Sequence, residues 1–237
     1  MKIRTILLAL FLALAACTPT TPPTPAPQSG AYPVPAQTEA PSMPEAYPAP
    51  TEAAAMPATG SVYHLVPGES TVTYEVGETF INRNNKFNVA VGVTDQVQGD
   101  IILDAENPQN SSLGVITVDI SQFTSDSSKR DSVIQDRFLE SGKYPLATFS
   151  PTSVTGLPET YTPGETLTFE VQGDLTVHQT TQPVTFQVQA VLQDDELHGT
   201  ATTTILMSDF GVGPISIAGI LNTEDEVKLT FEFVARP

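Results

Sequence analysis

Beyond residue 60, apolar and polar residues alternate along much of the chain, a pattern typical of β-strands with one buried face. In the clearest run, Val184, Phe186, Val188, Ala190 and Leu192 alternate with mostly polar neighbours. Turn-forming pairs, such as Pro163-Gly164 and Asn222-Thr223, separate the runs. The other alternating runs lie at 71–76, 97–103, 115–120, 167–177 and 227–233.

One segment follows a helical period instead. Ile134 and Phe138 stand four residues apart within 131–140, and Gly142 is placed to stop a helical turn. The spacing predicts one short helix over 131–140. Many regularly spaced strands with so little helix indicate an all-β domain, either a sandwich or a closed antiparallel barrel.

The N-terminus carries a targeting pattern. A basic start precedes an apolar run over 5–16, which is shorter than the roughly 20 residues that a membrane-spanning helix needs. This predicts a signal peptide over 1–16. The run ends in Leu-Ala-Ala-Cys, similar to the bacterial lipobox, so we expect Cys17 to carry lipid and to anchor the protein to a membrane outside the cytoplasm. The alternative is an ordinary secretory signal with a chance cysteine.

The segment 17–60 differs in composition from the rest of the chain. It is rich in Pro, Ala and Thr, and the motif Ala-Tyr-Pro-x-Pro occurs at 31–35 and again at 46–50. Proline removes backbone donors and favours extended chain, so this segment is predicted to be a disordered tether rather than part of a core. A Pro-rich ligand for an aromatic groove in a partner is the alternative. The folded domain is therefore expected at 61–237.

Charge and chemistry exclude several classes of function. The chain has 10 Lys and Arg against 27 Asp and Glu, a balance that argues against binding nucleic acid. A single Cys and three scattered His offer no metal-ligand spacing, so no cofactor or metal is expected. No Gly-x-Ser-x-Gly pattern accompanies His64, His178 or His198, and we predict that the protein is not an enzyme. The acidic runs at 194–196 and 224–226 are interpreted as solvated turns rather than calcium loops.

Several short motifs follow one another along the second half of the chain. They are Arg130-Asp131, Phe138-Leu139, Tyr144-Pro145, Phe149-Ser150, Gly-Asp-Leu-Thr-Val-His at 173–178, Gln-Pro-Val-Thr at 182–185 and Asp209-Phe210-Gly211. In this order they resemble the YceI-like family. The resemblance is strongest over 111–234 and implies an extracytoplasmic, lipocalin-like antiparallel β-barrel that binds polyisoprenoid chains. Two departures accompany it: Gln179-Thr180-Thr181 replace the Gly-Val-Thr usual in the family, and the segment 82–88 is more polar than expected.

The candidate ligand-binding residues are bulky apolar side chains expected to face the barrel interior. With the resemblance, they predict a hollow that holds a polyisoprenoid or an isoprenoid quinone, on a tethered protein; whether it is a monomer or a homodimer is left open by the sequence. Periodicity alone favours the alternative, a filled core in a surface adhesion module, because any β-core shows this alternation. The candidates are Phe138, Phe149, Leu167, Phe169, Phe186, Val188, Phe210, Phe231 and Phe233.

Overall fold

A computed structural model describes residues 60–237. The signal peptide, Cys17 and the predicted tether up to residue 59 lie outside the described residues. Within 60–237, no helix is both long enough and apolar enough to cross a membrane.

The described chain is almost entirely β-structure, with one α-helix and four short 3-10 turns at Ile81–Arg83, Pro108–Asn110, Ile120–Gln122 and Met207–Phe210. The regular elements are β1 (Ser61–Leu65), β2 (Thr71–Phe80), β3 (Lys86–Thr94), β4 (Val97–Gln98), β5 (Asp100–Leu103), β6 (Ser112–Leu113), β7 (Ile116–Asp119), β8 (Thr124–Ser125), α1 (Ser128–Arg137), β9 (Leu146–Thr155), β10 (Leu167–Val177), β11 (Thr180–Gln193), β12 (Glu196–Leu206), β13 (Ser216–Ile217) and β14 (Leu221–Arg236).

The strands form one antiparallel sheet that curls on itself. β9, β10, β11, β12 and β14 pair in that order, and β2 and β1 pair with successive parts of β14. On one branch, β3 pairs with β2 and β8 pairs with β3. On the other, β5 pairs with β1 and β6 pairs with β5. β4 pairs with β7. β7 also pairs with β9, and only Gly99 separates β4, which pairs with β7, from β5, which pairs with β1, so the sheet curls back towards the strand where it began. The predicted lipocalin-like antiparallel barrel is confirmed.

The two ends of the barrel differ. At one end, which we call the helix end, Ile134 of α1 and Phe138, which caps its C-terminus, pack against the buried cluster that includes Val76, Ala90 and Met207. At the other, the loop end, the chain crosses between strands through residues 104–111 and 156–166 and through the tight turn 194–195. The interior therefore has a helix at one end and irregular loops at the other.

Two local predictions were wrong. The helix occupies Ser128–Arg137 rather than 131–140. It begins earlier because the Ser127 side chain caps its N-terminus by accepting a hydrogen bond from the Arg130 N–H at 3.4 Å. Glu140 has a left-handed φ of 44°, which is incompatible with helix. Asn222-Thr223 lies inside β14 rather than in a turn; the chain reverses just before it, where Gly219 has a φ of 72°.

Candidate ligand-binding site

The barrel encloses a cavity of about 310 Å³. Its wall reaches from Phe138 and Met207 at the helix end to Leu103 and Leu192 at the loop end. No Asp, Glu, Lys, Arg or His contributes to the wall. The volume is at the lower end of the roughly 300–1,000 Å³ usual for small-molecule sites, which suits one slim apolar ligand.

All nine candidate residues lie on the wall of this cavity. Strand register places several of them at one height: Phe169 is opposite Val188, Val188 is opposite Ala201, and Ala201 is opposite Phe231. Phe210 is only 2% exposed and is packed into the wall, so its part is mainly structural. Contact between these residues and a ligand stays a prediction.

Aromatic rings lie over inward-facing glycines along the wall. A Cβ on Gly173 would meet the Phe149 ring at 2.6 Å, and Cβ atoms on Gly92 and Gly199 would collide with the rings of Tyr74 and Phe233. Because these glycines have no side chain, the rings can lie close to the backbone. They therefore cover the wall and occupy less of the central space, which helps to keep the interior hollow.

Small side chains add to the space and were missed from the sequence. Ala147, Ala190 and Ala201 are buried, yet they line the cavity at positions where a branched residue would fill it. Ala190 was recognised as inward-facing from its alternating run, but alternation reports the face of a residue and not the volume left in front of it. An alanine between bulky inward residues was the available signal.

The solvent-exposed part of the cavity wall lies at the loop end. Of the lining residues, Ala105 and Ser112 are exposed to solvent, and both lie on the connection and strand that follow β5. The lining residues at the helix end, among them Ile134, Phe138 and Met207, are buried or half-buried. We infer that the cavity opens at the loop end and is closed at the helix end, and we call this opening the mouth.

A buried ion pair closes the helix end. The side chain of Glu78 on β2 is directed towards the barrel interior and is 2% exposed. Its carboxylate accepts a hydrogen bond from Arg130 at 2.7 Å and another from the Asn88 amide at 3.0 Å. Arg130 also donates to Asp126 and, at 3.1 Å, to the Ser125 hydroxyl. Burial acts to lower the pKa of Arg130, but its bonds to Glu78 and Asp126 outweigh this and raise it. The bond from Arg130 also lowers the pKa of Asp126.

Tyr74 is a polar group on the wall that the sequence did not single out. Its ring contacts Phe123 edge-on at 5.1 Å between centroids. Burial, followed by the charge of Asp131, raises the pKa of Tyr74 to about 12, so its hydroxyl is neutral at physiological pH. The wall therefore stays uncharged here as well.

Hydrogen bonds within the protein also use polar groups near the mouth. The Tyr161 hydroxyl donates to the Leu192 carbonyl at 3.1 Å and accepts from the N–H groups of Leu192 at 3.0 Å and Gly164 at 3.2 Å. The Ser111 hydroxyl accepts from the Asp104 N–H at 3.0 Å. These bonds fix the connections around the mouth, and the cavity beneath it presents carbon surface.

The three histidines lie outside the cavity wall, each beside a carboxylate. His178 contacts Glu140 at 2.8 Å and packs edge-on against the Tyr144 ring, as expected for a structural histidine. His64 lies 2.7 Å from Asp100, and His198 lies 3.2 Å from Glu196. Within 60–237, no three His, Cys, Asp or Glu residues are grouped so as to hold a metal ion.

Fold and site together define a lipocalin-like barrel with an apolar internal pocket. The model of the YceI-like domain family matches residues 63–235, and the chain belongs to this family. A UPF0312 protein of Shewanella sp. (strain W3-18-1) is 32% identical over 149 residues, which are 58% of this chain and 74% of that protein. A UPF0312 protein of Pseudomonas putida (strain GB-1) is 28% identical over 144 residues, covering 58% and 71%.

Two solved structures share the fold, each with a TM-score of 0.55. BcnA of Burkholderia cenocepacia is 19% identical, and the match covers 72% of this chain and 98% of BcnA. A polyisoprenoid binding domain from Saccharophagus degradans, implicated in plant cell wall breakdown, is 14% identical, with 73% and 97% covered. At these identities the likeness concerns the fold.

Proposed function

We propose that this protein binds a long-chain isoprenoid lipid, a polyisoprenoid or an isoprenoid quinone, in the barrel interior without covalent chemistry. The observation that carries the proposal is the uncharged pocket, closed by α1 and open at the loop end. A lipid tail inserts through the mouth and lies against the rings of Phe149, Phe186 and Phe231, which line the pocket. The Saccharophagus domain with the same fold is named for binding polyisoprenoid, which supports this ligand class.

Burial of carbon surface provides the binding energy. Each buried methylene-sized group contributes about 0.8 kcal/mol, so a five-carbon unit contributes roughly 4 kcal/mol before the cost of ordering the chain. A tail of several units can therefore bind without any ionic contact. The filled-core alternative, a surface adhesion module, receives no support because the interior is hollow.

We further propose that the protein acts outside the cytoplasm, tethered by lipid on Cys17. Its family membership and the lipobox-like sequence at 14–17 support this location. The residues between Cys17 and the barrel would then act as a spacer between membrane and binding domain.

Titration of the full chain in detergent with a short-chain ubiquinone tests the binding function. Ala201→Phe adds a ring to the cavity wall, and we expect it to reduce affinity at least tenfold because it occupies the ligand's space. Thr204→Phe is the matched control. Thr204 lies on the same strand and is exposed, and because it is three residues from Ala201, its side chain lies on the opposite face of the strand. Saturable binding by the wild type and the control but not by Ala201→Phe supports the proposal. Equal affinity of all three, or no binding by any, contradicts it.

A further inference from the structure

The three connections at the loop end carry acidic side chains. The connections 104–111, 156–166 and 194–195 contain no Lys or Arg. The first two also supply cavity-lining residues, including Ala105 and Leu157. A polar group held at the mouth would lie among the acidic side chains of these connections, which are Asp104, Glu106, Glu159, Glu165, Asp194 and Asp195.

Arg236 at the loop end and Arg130 at the helix end are already bonded to carboxylates. At the loop end, Arg236 donates to Glu69 through two bonds of 2.8 Å and to Glu196 at 2.6 Å. At the helix end, Arg130 donates to Glu78 and Asp126. Binding of a phosphate group commonly relies on arginine or lysine to neutralise its charge. Using either arginine here would require breaking an existing ion pair.

A neutral polar group finds a better environment. The cavity wall offers almost no polar surface, so it cannot replace the hydration that a charged head loses there, and an alcohol or a carbonyl loses less on leaving water. An alcohol or quinone head brings no charge into the field of the surrounding carboxylates.

We propose that the pocket selects isoprenoids with an uncharged polar end, such as alcohols and quinones, and discriminates against isoprenoid phosphates and diphosphates. This inference rests on the proposed function and adds the charge of the ligand's head to it. The discrimination is electrostatic: a diphosphate at the mouth lies within a Debye length, about 8–10 Å at physiological salt, of several carboxylates. The tail contributes equally to both kinds of ligand.

A pair of ligands with the same tail isolates the effect of the head. We would titrate the full chain in non-ionic detergent with farnesol and with farnesyl diphosphate by calorimetry. At low salt we expect farnesol to bind at least tenfold more tightly. We expect this difference in affinity to become smaller in 0.5 M NaCl, because the Debye length there falls to about a few ångströms.

Charge-neutralising variants show whether the mouth causes the difference. The triple variant Glu106→Gln, Glu159→Gln, Asp195→Asn removes three exposed carboxylates at the loop end. The matched control, Asp136→Asn, Glu224→Gln, Glu226→Gln, removes three exposed carboxylates elsewhere. We expect the mouth variant to bind farnesyl diphosphate at least threefold more tightly than the wild type does, with its affinity for farnesol unchanged. We expect the control variant to bind both ligands as the wild type does.

The outcomes separate this inference from the function on which it rests. The inference is supported if the wild type prefers farnesol to farnesyl diphosphate and if this preference becomes smaller in the mouth variant but not in the control. Equal binding of both ligands, tighter binding of the diphosphate, or equal effects of the two triple variants overturns the charge selectivity and leaves isoprenoid binding in place. Failure of both ligands to bind the wild type contradicts the binding function and removes the inference with it.

Discussion

Single residues decide whether the barrel interior is filled or hollow. At Gly92, Gly173 and Gly199, an aromatic ring takes the place that a side chain would occupy. Gly92 offers the cleanest test, because the atoms that its added Cβ would meet all belong to the Tyr74 side chain. At Gly173 and Gly199, backbone oxygens are also in the way.

We predict that Gly92→Ala moves the Tyr74 ring into the cavity. Ligand affinity should fall several-fold because the ring takes up part of the ligand's space, while the pKa of Tyr74 should stay well above the ordinary value near 10 because the hydroxyl remains buried in an apolar, uncharged cavity. Ligand titration and ultraviolet titration of the tyrosines measure the two quantities. Gly142→Ala is the control, because nothing lies within 4 Å of its added Cβ. Unchanged ligand affinity in Gly92→Ala, or a Tyr74 pKa that falls to the ordinary value, would refute this account of the ring.

The Glu78–Arg130 pair makes a second prediction at this scale. Removing one partner leaves a charge in a nearly buried site, so Glu78→Leu or Arg130→Met should lower the free energy of unfolding by about 3–5 kcal/mol. The double variant should cost less than the sum of the two, because neither of the paired charges is left behind. Urea unfolding of the wild type and the three variants gives the coupling energy. Strict additivity would show that the two groups do not stabilise each other.

At the scale of elements, periodicity predicted the strands whose inward residues are large and apolar. β10, β11 and β14 were predicted in this way, since each carries Leu, Val or Phe at every second position over much of its length. β12 was missed because its inward positions include Gly199, Ala201 and Thr203, which give little contrast with its outward threonines. The pocket depends on such small inward residues, so the feature that makes the barrel hollow also weakens its sequence signal.

β3 shows the opposite problem. Its apolar residues Phe87, Val89, Val91 and Val93 are 38–55% exposed, while Ala90, Gly92 and Thr94 are buried. Interpreted by alternation alone, this strand would be placed with the wrong face inward. The inward positions are small because the Tyr74 ring covers Gly92 and because α1 packs against Ala90. These are tertiary contacts that the local sequence does not reveal.

The reversed orientation of β3 can be measured. We predict that Val89→Thr with Val91→Thr changes the free energy of unfolding by less than about 0.5 kcal/mol, since both side chains already face solvent. Val188→Thr, which places a hydroxyl at a 4%-exposed inward position, should cost at least about 1 kcal/mol. Urea denaturation of both variants makes the comparison. A loss of stability on β3 as large as that at Val188 would indicate that its valines are buried.

For the binding residues, sequence reasoning identified large wall residues but not the shape of the space between them. The nine candidates were chosen as bulky apolar groups, and all lie on the cavity wall. Tyr74, Ala147 and Ala201 were not chosen, because candidates were selected as bulky apolar side chains and none of these three is one. Nor did the sequence show which end is open, since this depends on where α1 packs.

At the scale of the whole molecule, the barrel has a distinct direction. The helix end is sealed by apolar packing and an ion pair, and the loop end combines an opening with acidic connections. A lipid whose tail points towards α1 and whose uncharged head rests at the mouth fits both ends. Under the proposed function, the same arrangement gives the protein a defined side for taking up and releasing a lipid.

The central claim is that the hollow holds an isoprenoid chain, and the most direct test is mass spectrometry of lipids extracted from the full chain purified from the cells that produce it. The account predicts an isoprenoid alcohol or quinone in near-stoichiometric amount, and its loss from Ala201→Phe but not from Thr204→Phe. Wild-type protein that carries no isoprenoid, or Ala201→Phe protein that carries as much as the wild type, would contradict it.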